Sequence, residues 1–214
     1  GIVLDFYHGA YPGFEKRQAF GFFDYSAGDQ MTWDLINLIW PGGWEVKGKN
    51  EVGSMVSTPF GDSFDILLQN APQKVLNSYP CLVLSGDVKL SAAETARYVG
   101  YVQQGGTLIL NRVYLREFPA YAERVGEGGS VEVVDGRGRV IVYGPDFRIE
   151  QLGSIVRSQV AKLLPVEVKG DVEFLVNCRG NSMYVTLINN KGVTKAPRSK
   201  AVVDESKATV TTVV

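Results

Sequence analysis

"YPCLVLSGDVKLSAAETARYVGYVQQGGTLIL", residues 79–110, decides the fold. "CLVLSGD" is an apolar run that ends in small and acidic residues, the mark of a buried strand. Ser91 and Glu94 stand three apart before a periodic stretch, which predicts a capping box and a helix over 91–104. Ala92, Thr95, Val99 and Val102 share one face of that helix. Gly105-Gly106 stops it, and "TLIL" is the next strand. Strand, helix and strand within about thirty residues form a βαβ unit. Such a unit implies a right-handed crossover and a parallel pair.

The same alternation extends to both sides. Upstream, "QAFGFFDYS" (18–26) is expected as the first strand. "DQMTWDLINLIW" (29–40) follows as a helix, stopped by Pro41 and two glycines. Residues 42–62 read as a surface loop, "FDILLQ" (64–69) as a strand, and "APQKVLNSY" (71–79) as a short helix with Pro72 in its first turn. Downstream, a short helix broken by Pro119 precedes "SVEVVDGRGRVIVYG" (130–144). There Asp135-Gly136 predicts a hairpin turn. A helix over 149–164 is expected to bury Leu152, Ile155, Val156, Val160 and Leu163. Pro165 closes it. Beyond Pro165 only alternating strands and turns appear, ending in "KATVTTVV" (207–214). The expected fold class is α/β: a mostly parallel, flavodoxin-like sheet with helices on both faces, then a small antiparallel β domain. The expected domains are a connecting segment (1–17), the α/β domain (18–165) and an incomplete antiparallel β domain (166–214), a sheet or half of a sandwich.

Composition narrows function. The chain has 214 residues, a net charge of -1 and 45% hydrophobic residues, so it can build a core but presents no basic field for nucleic acid. The longest apolar run, 33–40, is too short to span a bilayer. No signal-peptide pattern is visible. An apolar start and an alternating β-type end read as those of a fragment. Two cysteines, Cys81 and Cys178, and one histidine leave little for a metal site, and no cofactor motif appears. The glycine-rich "GEGGS" (126–130) and "GRGR" (136–139) do not lie between a strand and a helix, so they read as turns and not as phosphate cradles.

Candidate chemistry then rests on three groups. Asp24 and Asp87 each follow an expected strand, where such a pair of carboxylates could cleave a glycosidic bond, and Asp62 and Asp65 bracket Phe64 in "GDSFD". The plainer reading of each is a helix cap or a turn. Tyr7, His8 and Tyr11 sit in "LDFYHGAYPGFEK" (4–16), whose rings suit either sugar stacking or docking onto another domain. Asn111 and Arg112 stand where strand 107–110 ends. A nucleophile there would need a Cys or Ser with a base nearby, and neither is present. Ser85 lacks the G-x-S-x-G frame, and His8 lies ahead of the expected first strand, so a Ser85–His8 dyad is not expected.

Residues 18–164, and "YPCLVLSGDVKLSAAETARYVGYVQQGGTLIL" above all, resemble the class I glutamine amidotransferase-like fold. The α/β domain through which some β-galactosidases trimerise, and related domains of other glycoside hydrolases, is similar. That family carries a Cys at the elbow after the strand matching "TLIL", with a His and a Glu later. Asn111 and Arg112 occupy the elbow here, and no His follows. The resemblance therefore implies a degenerate scaffold: a non-catalytic accessory or oligomerisation region of a larger carbohydrate-active enzyme. Its implied partners are an upstream catalytic domain of the same parent, further copies of itself, or carbohydrate, with neither nucleic acid nor membrane. A polysaccharide-degrading parent would be secreted or periplasmic. Two alternatives stay open: a glycoside hydrolase using the acidic residues, and a sugar-binding module using the aromatics.

Overall fold

Gly105 and Gly106 turn the chain from helix to strand, as their sequence predicts. Gly105 takes a left-handed φ of +117°, and a Cβ on Gly106 would run into the ring of Tyr101. In the computed structural model, which describes residues 1–10, 26–39, 60–61, 63–126, 129–144, 149–170, 172–189, 192–194, 198–208 and 210–214, this turn joins two parallel strands of a six-stranded sheet.

The elements run as follows. β1 (Ile2–Leu4) leads to α1 (Phe6–Ala10) and α2 (Ala27–Ile39). β2 (Ile66–Leu68), α3 (Gln73–Leu76), β3 (Cys81–Leu84), α4 (Ala92–Gln103) and β4 (Thr107–Asn111) follow. A 3-10 helix (Arg112–Glu117), α5 (Pro119–Ala122), β5 (Val131–Asp135), β6 (Gly138–Tyr143) and α6 (Ile149–Leu163) complete the α/β part. The sheet order is β2-β1-β3-β4-β6-β5, parallel throughout except for edge strand β5, which pairs antiparallel with β6. Cys81 faces Thr107 and Leu82 faces Leu108, the parallel register that the βαβ reading requires.

The register sorts side chains into rows. Val3, Leu84, Leu110 and Val142 share one face with Leu82, Leu108 and Val140. This face packs on Leu76 of α3, on Tyr98, Tyr101 and Val102 of α4, and on Tyr114, Phe118 and Tyr121. Ile2, Val83, Ile109 and Ile141 point the other way and are buried too. Burial on both faces explains why these strands read as continuous apolar runs. Helix α4 carries the expected capping box, with Ser91 Oγ accepting from the Glu94 amide. Its buried face overlaps the expected one. Val102 is buried and Val99 packs on the core, but Tyr98 and Tyr101 also turn inward and Ala92 is exposed. Tyrosine could be set there because each hydroxyl finds a backbone acceptor: Gln69 O for Tyr98 and Thr107 O for Tyr101.

The amino end is a correction. Residues 1–17 read as a connecting segment, yet Ile2–Leu4 is a strand between β2 and β3. Three residues are too few to show alternation. Backbone bonds on both sides hold the strand: Ile2 N–H to Asp65 O and Gln69 N–H to Leu4 O on one, Val83 N–H to Gly1 O and Ser85 N–H to Val3 O on the other. The strand expected at 18–26 lies outside the described residues, except for Ser26.

The chain divides into two compact units, 1–35 with 64–159, and 36–63 with 160–214. The strands of the second unit pair antiparallel, as expected. Among the described residues it holds three separate two-stranded antiparallel sheets: β7 (Val168–Lys169) with β12 (Thr212–Val213), β8 (Glu173–Arg179) with β9 (Ser182–Ile188), and β10 (Val193–Thr194) with β11 (Val202–Val203). The end of the chain, which reads as an open edge, is paired: Val214 and Glu167 exchange both backbone hydrogen bonds.

Candidate functional site

Strand order reverses between β1 and β3, since the chain leaves β1 for β2 on one side and returns to β3 on the other. In open α/β sheets, ligands bind at the carboxyl ends of the two strands flanking such a switch. Asp5 follows β1. Ser85, Gly86 and Asp87 follow β3. His8 comes from α1, and Ser26 and Asp29 from the start of α2. These residues form one polar cluster.

His8 is its centre and is buried. Its Nδ1 lies 2.7 Å from Asp5 Oδ1 and its Nε2 lies 2.9 Å from Asp29 Oδ1. Burial works against the imidazolium, but the hydrogen bonds and charges of Asp5 and then Asp29 outweigh it and raise the His8 pKa. Burial likewise works against the Asp5 carboxylate, and the hydrogen bond and charge of His8 overcome it and lower that pKa. A carboxylate oxygen thus faces each ring nitrogen, an arrangement that the doubly protonated ring satisfies by donating to both. An imidazolium so held has no lone pair for a proton, a metal or a substrate.

The surrounding bonds fix the rest. The Asp87 amide donates to Asp5 Oδ1 at 2.9 Å. Ser26 and Asp29 cap α2 reciprocally: the Ser26 amide donates to Asp29 Oδ2 at 2.7 Å, and the Asp29 amide to Ser26 Oγ at 3.0 Å. Ser26 Oγ donates to Asp87 Oδ2 at 2.7 Å. Gly86 has a φ of +80°, and a Cβ there would strike the Asp5 carboxylate. A Cβ on Gly28 would lie 2.6 Å from the Gly86 carbonyl carbon, so the amino end of α2 sits directly on the end of β3. The Tyr114 hydroxyl closes the loop from the other side, donating to Gly86 O at 2.7 Å. Among the described residues, the groups at the switch point thus bond to one another.

The candidate residues separate accordingly. Asp87 belongs to this cluster, with Asp5 and Asp29 as its neighbours. Asp65 does not: it precedes β2, at the opposite edge of the sheet, where it accepts from the Tyr79 hydroxyl at 2.9 Å. Parallel strands place the start of β2 and the end of β3 at opposite edges, so the fold does not bring Asp65 to Asp87. Asp24, Asp62 and Tyr11 lie outside the described residues. Tyr7 is half-buried, its ring edge-on to His8 at 5.0 Å between centroids. His8 itself is a correction, since it follows the first strand and does not precede it. Even so, Ser85 Oγ bonds not to His8 but to Thr32 Oγ1, at 3.4 Å. The contributions of Asp5, Ser26 and Asp29 were missed. The signal for Asp5 was the triplet "IVL" ending in an acid, the same pattern as "LVLSGD".

At the end of β4, Asn111 is buried and fully used. Its Nδ2 donates to Gly144 O at 2.8 Å, and its Oδ1 accepts from the Val113 amide at 3.0 Å, capping the 3-10 helix. Arg112 Nη2 reaches Gly129 O at 3.4 Å. The elbow is a structural joint between β4 and the end of β6. Cys81 is half-buried, and burial pushes its thiol pKa up to about 11, far from a reactive thiolate. Among the described residues, no group of three or more His, Cys, Asp or Glu could hold a metal ion.

These features define an α/β domain whose switch point is closed by an internal Asp–His–Asp network. No protein-family model matches the chain, and no curated protein matches it. Among solved structures, the chain is similar to Gan42B, a GH42 beta-galactosidase, with a TM-score of 0.52 and 11% sequence identity over 99% of this chain. At that identity the likeness is one of fold. The chain spans 39% of the length of that protein.

Proposed function

We propose that this chain is a non-catalytic accessory region of a larger enzyme of glycoside-hydrolase type. It would support or oligomerise a catalytic domain of the same parent, on a scaffold of the glutamine amidotransferase kind that has lost its chemistry. The observation that carries the reading is the closed switch point. Among the described residues, Asp5, Ser26, Asp29, Ser85 and Asp87 each hydrogen-bond another member of the chain there, and a carboxylate oxygen faces each nitrogen of the one imidazole. The likeness to part of a β-galactosidase supplies the class of parent.

The test is direct. The purified chain should release no ammonia from glutamine and hydrolyse no aryl galactoside. Deleting it from the parent should change oligomeric state or stability and leave the catalytic residues of the remainder competent. Galactoside hydrolysis by the isolated chain, lost in Asp87→Asn and kept in Asp65→Asn, would overturn the reading in favour of an acid-based hydrolase.

A further inference from the structure

We propose that His8 is a pH-operated latch that holds the amino end of α2 across the switch point between β1 and β3. Its two ring nitrogens join segments distant in sequence: Asp5, behind β1, and Asp29, in the first turn of α2. Through the Asp5 carboxylate the same imidazole reaches the Asp87 amide behind β3. Three elements therefore meet on one titratable ring.

The device works because an imidazolium donates twice and a neutral imidazole once. On losing its proton, His8 turns a lone pair toward either Asp5 or Asp29. A buried attraction then becomes a buried repulsion between a lone pair and a carboxylate. The groups that face the ring are Asp5 and the Tyr7 ring from its own end of the chain, and Asp29 from α2. Asp87 from the β3 loop and the Tyr114 hydroxyl, held on Gly86 O, stand behind Asp5. The α2 bond is the longer of the two, 2.9 Å against 2.7 Å, and Asp5 is also tied to the β3 loop through the Asp87 amide, whereas the other bond to the Asp29 carboxylate, from the Ser26 amide, lies within the start of α2 itself. Release should therefore begin at Ser26–Asp29.

The signs define a window. The raised His8 pKa contributes stability that is fully present below 6.5 and lost as pH rises through the folded value. The lowered Asp5 pKa contributes stability present above 3.8 and lost as pH falls through its folded value. The latch is closed between these limits and opens on the alkaline side, exposing the ends of β1 and β3.

His8 is the only histidine of the chain, so a protein without a histidine tag gives one imidazole signal. Nitrogen-15 NMR of that ring across pH 5 to 10 should show both nitrogens protonated at neutral pH and a midpoint above 6.5. Amide exchange, corrected for its intrinsic pH dependence, should then show opening at Asp29 and Gln30 rising relative to α4. The rise should be about tenfold for each unit by which the midpoint exceeds 6.5. His8→Gln should make the ratio independent of pH. Should that variant fail to fold, Asp29→Asn should lower the midpoint and shrink the rise. A midpoint at or below 6.5 would overturn the latch, as would a raised midpoint with the α2-to-α4 ratio unchanged.

Discussion

Strands β3 and β4 and the hairpin β8–β9 are equally rich in β-forming residues, but their surroundings are opposite. β3 and β4 are covered on both faces, and Leu82, Leu84, Leu108, Ile109 and Leu110 are removed from solvent. The hairpin pairs over seven residues, yet Met183, Tyr184 and Leu187 remain exposed. Its register puts Phe174, Val176, Cys178, Met183, Val185 and Leu187 on one face, and of these only Phe174 is fully buried. The β4 strand draws its stability from burial. The hairpin draws more on backbone pairing and its Gly180 turn, where φ is +58°.

That contrast can be broken by substitution. Leu108→Ala empties a fully buried site in the main core and should cost about 3 kcal/mol, read as a lower urea midpoint at unchanged slope. A cost below about 1 kcal/mol would mean that the parallel sheet is not packed as described. Asn111→Ala should cost about 2 kcal/mol in the same measurement. It leaves the Gly144 carbonyl and the Val113 amide without their partner, and the loss should come with no change in any activity of the parent. Loss of activity at full stability would instead make the β4 elbow a working site. Leu187→Ala, on the exposed hairpin, should cost less than about 1 kcal/mol in the isolated chain. A cost equal to that of Leu108→Ala would show that the hairpin face is covered after all.

Much of the sheet was legible because burial on both faces writes continuous apolar runs. "CLVL" and "TLIL", the Ser91–Glu94 cap, the Gly105-Gly106 stop and the Asp135-Gly136 turn are all local signals, and each one holds. The site was less legible. Asp87 was singled out for standing at a strand end, but its partners are Asp5 and Ser26, 82 and 61 residues away. His8 is legible only as one of the amino-terminal ligand-binding candidates and not as a residue of the sheet edge, because β1 is too short to announce itself. Asp65 precedes its strand while Asp87 follows one, a difference that decides which edge of a parallel sheet each one occupies. In the second unit, alternation was read correctly as strand, but it could not say which strands would pair. Among the described residues, the chain after Pro165 forms three small two-stranded sheets.

The sequence by itself determined the βαβ order, the parallel pairing of β3 with β4, the caps and turns, and the lack of a nucleophile at Asn111 and Arg112. Each follows from residues within one turn or one strand of each other, where propensity and spacing act directly. The tertiary structure alone decided that three terminal residues insert as β1 between β2 and β3. It also decided that His8 is clamped by two carboxylates and that the amino end of α2 fills the switch point. Those outcomes depend on strand order and on contacts between segments far apart in the chain. A hydrogen bond from Nε2 of His8 to Asp29 exists only once the fold has brought α1 and α2 together over the same sheet edge.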